Sequence, residues 1–184
     1  MFRALVVVAL LPGCGVTVAT TGAIDAAGSD AEAVDAPPPV DASIDARPCS
    51  GGDQSGTGPD GSCFLLFSTP TQFVDAKAAC EANASHLAIL RTEADDTFAE
   101  QFIGTLDTLI GLTDQAVENT FVWTDGSAVT FSNFRTGEPN NGAGGFEEDC
   151  ILIAGERAGK GWDDRPCAPV TGQPGGLYAY LCQF

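Results

Sequence analysis

The sequence predicts a mixed α+β domain: two short helices among many short antiparallel strands, one long loop, and disulfide staples. Three observations predict it. Phe73, Ala76, Lys77 and Cys80, and later Phe98 and Phe102, recur at helical spacing. Short runs such as CFLLF (63–67), HLAIL (86–90), LIGL (109–112) and CILIA (150–154) read as strands. Seven cysteines are present, and setting Cys14 aside leaves six, an even number that implies a disulfide framework.

Taken in order, residues 1–14 carry one Arg, an apolar run, and then Leu11-Pro12-Gly13-Cys14. The run is too short to span a membrane and reads as a secretory signal. Its end resembles a bacterial lipobox, which implies cleavage before Cys14 and lipidation of that cysteine. The expected product is exported and lipid-anchored at the cell envelope or outer surface. Residues 15–48 are Ala, Asp, Pro, Val and Ser with almost no aromatic side chain. Such a composition cannot bury enough apolar surface to offset its ordering entropy, so a disordered tether of roughly 30 Å is expected.

Residues 49–184 are long enough for one domain. Thr69 or Thr71 is expected to cap the first helix, with Pro70 in its first turn. A strand follows at 86–90, and its His86, the single histidine, reads as a partly buried structural residue. Thr92-Glu93-Ala94-Asp95 starts the second helix in the manner of a capping box, and Gly104 suits its end. Strands are expected at 109–112, 150–154, 161–164 and 177–183, and a strand followed by a turn at 121–127. The Gly-rich stretch 170–176 reads as a surface-loop insertion.

Residues 137–164 gather Glu138, Asn140, Asn141, Glu147, Glu148, Asp149, Asp163 and Asp164 into one short span. Only Arg157, Lys160 and Arg165 lie nearby as cations. Crowded carboxylates repel unless an ion neutralises them or some protonate. Hard oxygen donors on a Gly-rich loop suit Ca2+, which takes six to eight oxygens in irregular geometry.

The order Glu-Pro-Asn, Glu-Asp-Cys, Trp-Asp-Asp, Cys resembles the C-type lectin-like domain in its long form. CFLLF, LIGL and FVWTDGS (121–127) resemble that family's opening, central strand and strand-turn motifs. The resemblance implies the pairs Cys80 with Cys182, Cys150 with Cys167, and Cys49 with Cys63, where counting alone leaves fifteen pairings. It implies one Ca2+ held by Glu138, Asn140, Glu148, Asp163 and Asp164. Glu138, Asn140, Glu148 and Asp163 would also hydrogen-bond a sugar. Asp114, Glu118, Asn141 and Asp149 resemble an auxiliary Ca2+ site. Pro139 is expected in cis, and Glu-Pro-Asn implies mannose-, glucose- or fucose-type sugars. One departure stands out: Asp163 occupies a position where the family carries Asn, so an amide donor has become an acceptor. That keeps a protein-binding or structural surface domain as the second reading.

Other classes fit poorly. The formal net charge is −17, with 8 Lys and Arg against 25 Asp and Glu. Nucleic acid and anionic headgroups need basic patches, so neither is expected as a partner, and a membrane only through Cys14. GERAGKG (155–161) is one residue short of a phosphate loop and has no Ser or Thr after Lys160. One histidine and oxidised cysteines build no nucleophile pair, so an enzyme is not expected. Asn83-Ala84-Ser85 matches a glycosylation acceptor, which a bacterial export route makes irrelevant.

Overall fold

The computed structural model describes residues 47–142, 146–155 and 159–184. The expected signal, Cys14 and nearly all of the linker lie outside the described residues, as does Arg157. Ten elements follow one another along the described chain. They are β1 (Gln54–Thr57), β2 (Cys63–Thr71), α1 (Phe73–Ala82), β3 (His86–Leu87) and α2 (Glu93–Phe102). Then come β4 (Thr108–Thr113), β5 (Val122–Trp123), β6 (Cys150–Ile153), β7 (Trp162–Arg165) and β8 (Tyr178–Gln183).

One sheet runs in the order β1-β2-β8-β4-β6-β7, with β3 on β8 and β5 on β4. All of these pairings are antiparallel except β4 against β8, which is parallel through Thr108↔Ala179 and Leu109↔Tyr180. The last strand thus slots between two early ones. Successive residues of a strand point to opposite faces, and both faces of this sheet are covered. Phe64, Leu66, Ile110, Leu112, Ile151, Ile153 and Leu181 pack on one side with Trp123 and Trp162. Leu65, Leu109, Leu152, Tyr178, Tyr180 and Cys182 pack on the other with Phe73, Ala76 and Cys80 of α1. Two-sided burial is why these strands read as continuous apolar runs.

The three disulfides pair as the family resemblance implied. Cys49–Cys63 closes the β1–β2 hairpin region, Cys80–Cys182 ties α1 to β8, and Cys150–Cys167 ties β6 to the end of β7. The capping box of α2 is also present: Asp95 N donates to Thr92 Oγ1 at 3.2 Å, and Thr92 N donates to Asp95 Oδ2 at 3.1 Å. Gly104, at φ +63°, follows the helix end as expected.

The start of α1 differs. Neither Thr69 nor Thr71 caps it, and Pro70 is not in its first turn, because β2 continues to Thr71 through the pair Thr71↔Tyr178. A register shift between Phe67 and Thr71 leaves Pro70 outside the ladder, where its missing N–H costs nothing. The first turn is instead held by Phe73 N, which donates to Cys167 O at 2.9 Å, and by Gln72 Nε2, which donates to Asp75 Oδ2 at 2.7 Å. The 86–90 strand is also shorter than expected. Only His86 and Leu87 pair as a strand; beyond them Ile89 N donates at 2.8 Å to the side-chain Oε1 of Gln183. Gly111 lets β4 pass close by, since a Cβ there would lie 2.8 Å from both Leu87 O and Thr124 Oγ1. Among the described residues no helix is long and apolar enough to cross a membrane.

Candidate functional site

The site is built outward from Trp162, whose side chain is fully buried at the start of β7. Trp123, Phe131 and Phe134 meet its ring edge-on, with centroids at 5.8, 5.7 and 5.7 Å. Its indole N–H donates to Asp96 Oδ1 of α2 at 2.7 Å. Asp96 Oδ2 accepts in turn from Asn133 Nδ2 at 2.6 Å. Trp162 N donates to Asn133 O at 2.7 Å, and Arg135 N donates to Trp162 O at 3.1 Å. Residues 133–135 therefore run alongside β7, and this lays the start of the long loop against Asp163.

The loop then turns back on itself. Glu138 N donates to Arg135 O at 3.0 Å, and the Glu138–Pro139 peptide is cis, as expected. Asn140 N and Asn141 N donate to Asp164 Oδ2 at 2.9 and 2.6 Å, so the β7 carboxylate anchors the loop tip. Asn140 Nδ2 donates to Glu138 Oε2, and Asn140 Oδ1 accepts from Gly142 N at 2.7 Å. Glu138, Asp163 and Asp164 each offer a carboxylate oxygen, and these oxygens lie within 4.8 Å of one another. Glu148, in the segment that leads into β6, is buried.

Two arginines stand among these acids. Arg135 Nη2 contacts Glu138 Oε1 at 3.0 Å and Asp163 Oδ2 at 2.6 Å. Arg165 Nη2 contacts the same Asp163 oxygen at 2.8 Å, and its Nη1 lies 3.6 Å from Glu148 Oε1. Of the two described cations that the sequence placed near the acids, Arg165 is there. Lys160 instead donates to Glu100 O and, at 2.9 Å, to Gly104 O at the end of α2. Sequence reasoning missed Arg135 altogether. Its only local signal is a position three residues before Glu138, across a turn that no periodicity marks. Gln173 was missed too: from the expected insertion its Nε2 reaches Glu148 Oε1 at 3.2 Å.

The auxiliary residues Asp114, Asn141 and Asp149 are placed by hydrogen bonds of their own loops. Thr113 Oγ1 donates to Asp149 O at 2.7 Å, and Asp114 Oδ2 accepts from Asn119 N at 2.9 Å. Asn141 Oδ1 accepts from Glu148 N at 2.8 Å, while its Nδ2 donates to Glu147 Oε2 at 3.2 Å. Glu118 and Asp149 converge within 4.8 Å, and the third acid with them is Glu147, not the expected Asp114. Asp114 is buried and turned to its own loop's backbone.

The electrostatics follow from burial and crowding. Burial pushes the Glu138 carboxyl up, with the charges of Asp163 and Asp164 adding to it and Arg135 opposing. Burial likewise raises Glu148 against the pull of Arg165, and raises Asp114 and Asp149, where neighbouring acids add to the effect. Burial works to lower Arg165, but Asp163 and Glu148 hold it above its ordinary value. Glu148 Oε2 and Asp114 Oδ1 are buried with no hydrogen-bond partner among the described residues. Buried oxygens left bare are costly, and a hard divalent cation satisfies them at no cost in donors. The donor set, all oxygen and mostly anionic, fits Ca2+.

The chain belongs to the C-type lectin family: the model of the Lectin C-type domain matches residues 69–172. The mouse low affinity immunoglobulin epsilon Fc receptor is 37% identical over 121 residues, 66% of this chain but only 33% of the receptor. The chain therefore spans about a third of the length of that relative. An alpha-N-acetylgalactosamine-specific lectin of Patiria pectinifera is 31% identical over 68% of this chain and 75% of its own length. Among solved structures, the carbohydrate-recognition domain of the human scavenger receptor C-type lectin superposes with a TM-score of 0.62. It is 28% identical, over 73% of this chain and 98% of that one.

Proposed function

We propose that this domain binds carbohydrate through one Ca2+ held by Glu138, Asn140, Glu148, Asp163 and Asp164. The observation that carries the reading is the convergence of Glu138, Asp163 and Asp164 beside the Glu-Pro-Asn turn. The ion would supply open coordination positions for two neighbouring sugar hydroxyls. Glu138, Glu148 and Asp163 accept from hydroxyl hydrogens, and Asn140 donates its amide to a hydroxyl oxygen. The order Glu138-Pro139-Asn140 favours mannose-, glucose- or fucose-type sugars. Asp114, Glu118, Asn141 and Asp149, joined by Glu147, form a candidate for a second ion. The domain acts as a binding module and not as a catalyst. A glycan array probed in Ca2+ and again in chelator tests this: calcium-dependent retention on such sugars is expected, and equal signals in both overturn it.

A second reading, Ca2+-stabilised protein binding without sugar, draws its support from Asp163. Its carboxylate faces two arginines, so an acceptor already engaged stands where an amide donor to sugar is expected. We further propose export and anchoring of the chain through lipid on Cys14, with residues 15–48 as the tether. Metabolic labelling with a fatty-acid analogue should mark the wild type and miss Cys14→Ser; equal labelling overturns it.

A further inference from the structure

Glu138, Arg135, Asp163, Arg165 and Glu148 form a row of alternating charge across the site. Each acid enters the row through one oxygen: Glu138 Oε1, Asp163 Oδ2 and Glu148 Oε1. The other oxygens of the glutamates stand apart from the arginines, Glu138 Oε2 toward Asn140 and Glu148 Oε2 without a partner among the described residues. Asp163 is the keystone, since a single oxygen of it meets both guanidiniums, at 2.6 and 2.8 Å. It is 1% exposed, so its charge needs company that water does not give.

We propose that Arg135 and Arg165 are resident counter-ions that hold the ligand carboxylates converged in the absence of a divalent cation. They are positioning residues, and they deepen the Ca2+ reading above, on which this inference rests. The acid at position 163 and the two arginines act as one unit. Four carboxylates, Glu138, Glu148, Asp163 and Asp164, less two guanidiniums leave a formal charge of −2, which one divalent cation cancels. The arginines take one side of each glutamate carboxylate and leave its second oxygen toward the ion. In a site without them, chelation would leave bare carboxylates repelling one another. Here the row keeps the 135–141 loop against β7 in either condition.

Thermal unfolding of the full chain, in chelator and in saturating Ca2+, tests the proposal, with calorimetric Ca2+ titration alongside. Arg135→Gln and Arg165→Gln should each lower the chelator midpoint by about 5 °C and the Ca2+ midpoint by much less. Asp163→Asn placed on Arg135→Gln should recover most of that loss, because the acid leaves with its cation. Equal losses in chelator and in Ca2+, or no recovery in the double variant, overturn the proposal. Arg135→Lys, which keeps the charge, should behave nearly as wild type in chelator; a loss as large as that of Arg135→Gln also overturns it. If the wild type gives no heat with Ca2+, the metal reading falls. The chelator comparison of Arg135→Gln with its double variant then still decides the arginines' role.

Discussion

The indole of Trp162 and the carboxylate of Asp96 are joined by a buried hydrogen bond of 2.7 Å, sixty-six residues apart in sequence. This contact locks α2 to β7 and so sets where Asp163 and Asp164 lie. Burial raises the Asp96 carboxyl, with the hydrogen bonds from Trp162 and Asn133 opposing. Asp96→Ala would strand a buried N–H, which costs about 1–3 kcal/mol. Chemical denaturation should show that loss, and Ca2+ affinity should fall with it. An unchanged unfolding midpoint would remove Asp96 from this role.

Stability should depend on Ca2+ by mass action, since an ion that binds only the folded chain adds about 2.7 kcal/mol at a hundred times its Kd. Calorimetric unfolding with and without chelator measures this. Identical transitions would count against any bound ion.

The pH dependence should change sign between the two conditions. Glu138, Glu148, Asp114 and Asp149 have folded pKa values raised above their unfolded ones, first by burial. For an acid raised in this way the charged form is what the fold disfavours. The penalty holds above the raised pKa and is relieved as pH falls through it. In chelator, stability should therefore rise as pH drops from neutral toward the upper edge of the carboxylate range. Asp125 works the other way: the Ser127 hydrogen bonds and Arg91 outweigh burial and hold its pKa down, and its contribution is lost only at lower pH. In Ca2+, protons compete for the ligands, so stability should fall over the window where the chelator curve rises. Parallel curves would sink this reading of the site.

Neutralising Asp163 should weaken Ca2+ binding. Asp163→Asn leaves Arg135 and Arg165 facing an amide and lowers the site's formal charge from −2 to −1. An affinity loss of about tenfold is expected, equivalent to about 1.4 kcal/mol. Calorimetric titration checks it, and an affinity gain would show that Asp163 hinders the ion.

The Cys150–Cys167 bridge closes a loop with a sequence separation of 17 around β6 and β7. Replacing both cysteines with alanine should cost about 3 kcal/mol on the loop-entropy model. Urea unfolding measures it; a loss well under 1 kcal/mol would mean the strands hold their register unaided.

Much of the fold was legible in the residues because its signals act over a few positions. Thr92 and Asp95 cap α2 from three residues apart, and the strand runs CFLLF and CILIA announce themselves by composition. The acids of 137–164 were likewise legible through their order and spacing, and the cis Pro139 through the family resemblance. Only the tertiary structure decided which cations meet those acids. Arg135 reaches Asp163 because Trp162, packed among Trp123, Phe131 and Phe134, draws residues 133–135 alongside β7. Gln173 reaches Glu148, and Glu118 meets Glu147 and Asp149, by the same kind of placement between separate loops. The parallel neighbours β4 and β8 are some seventy residues apart, as Thr108 and Ala179 show. Periodicity and capping are local, whereas an ion pair or a strand pairing depends on which distant surfaces the core brings together.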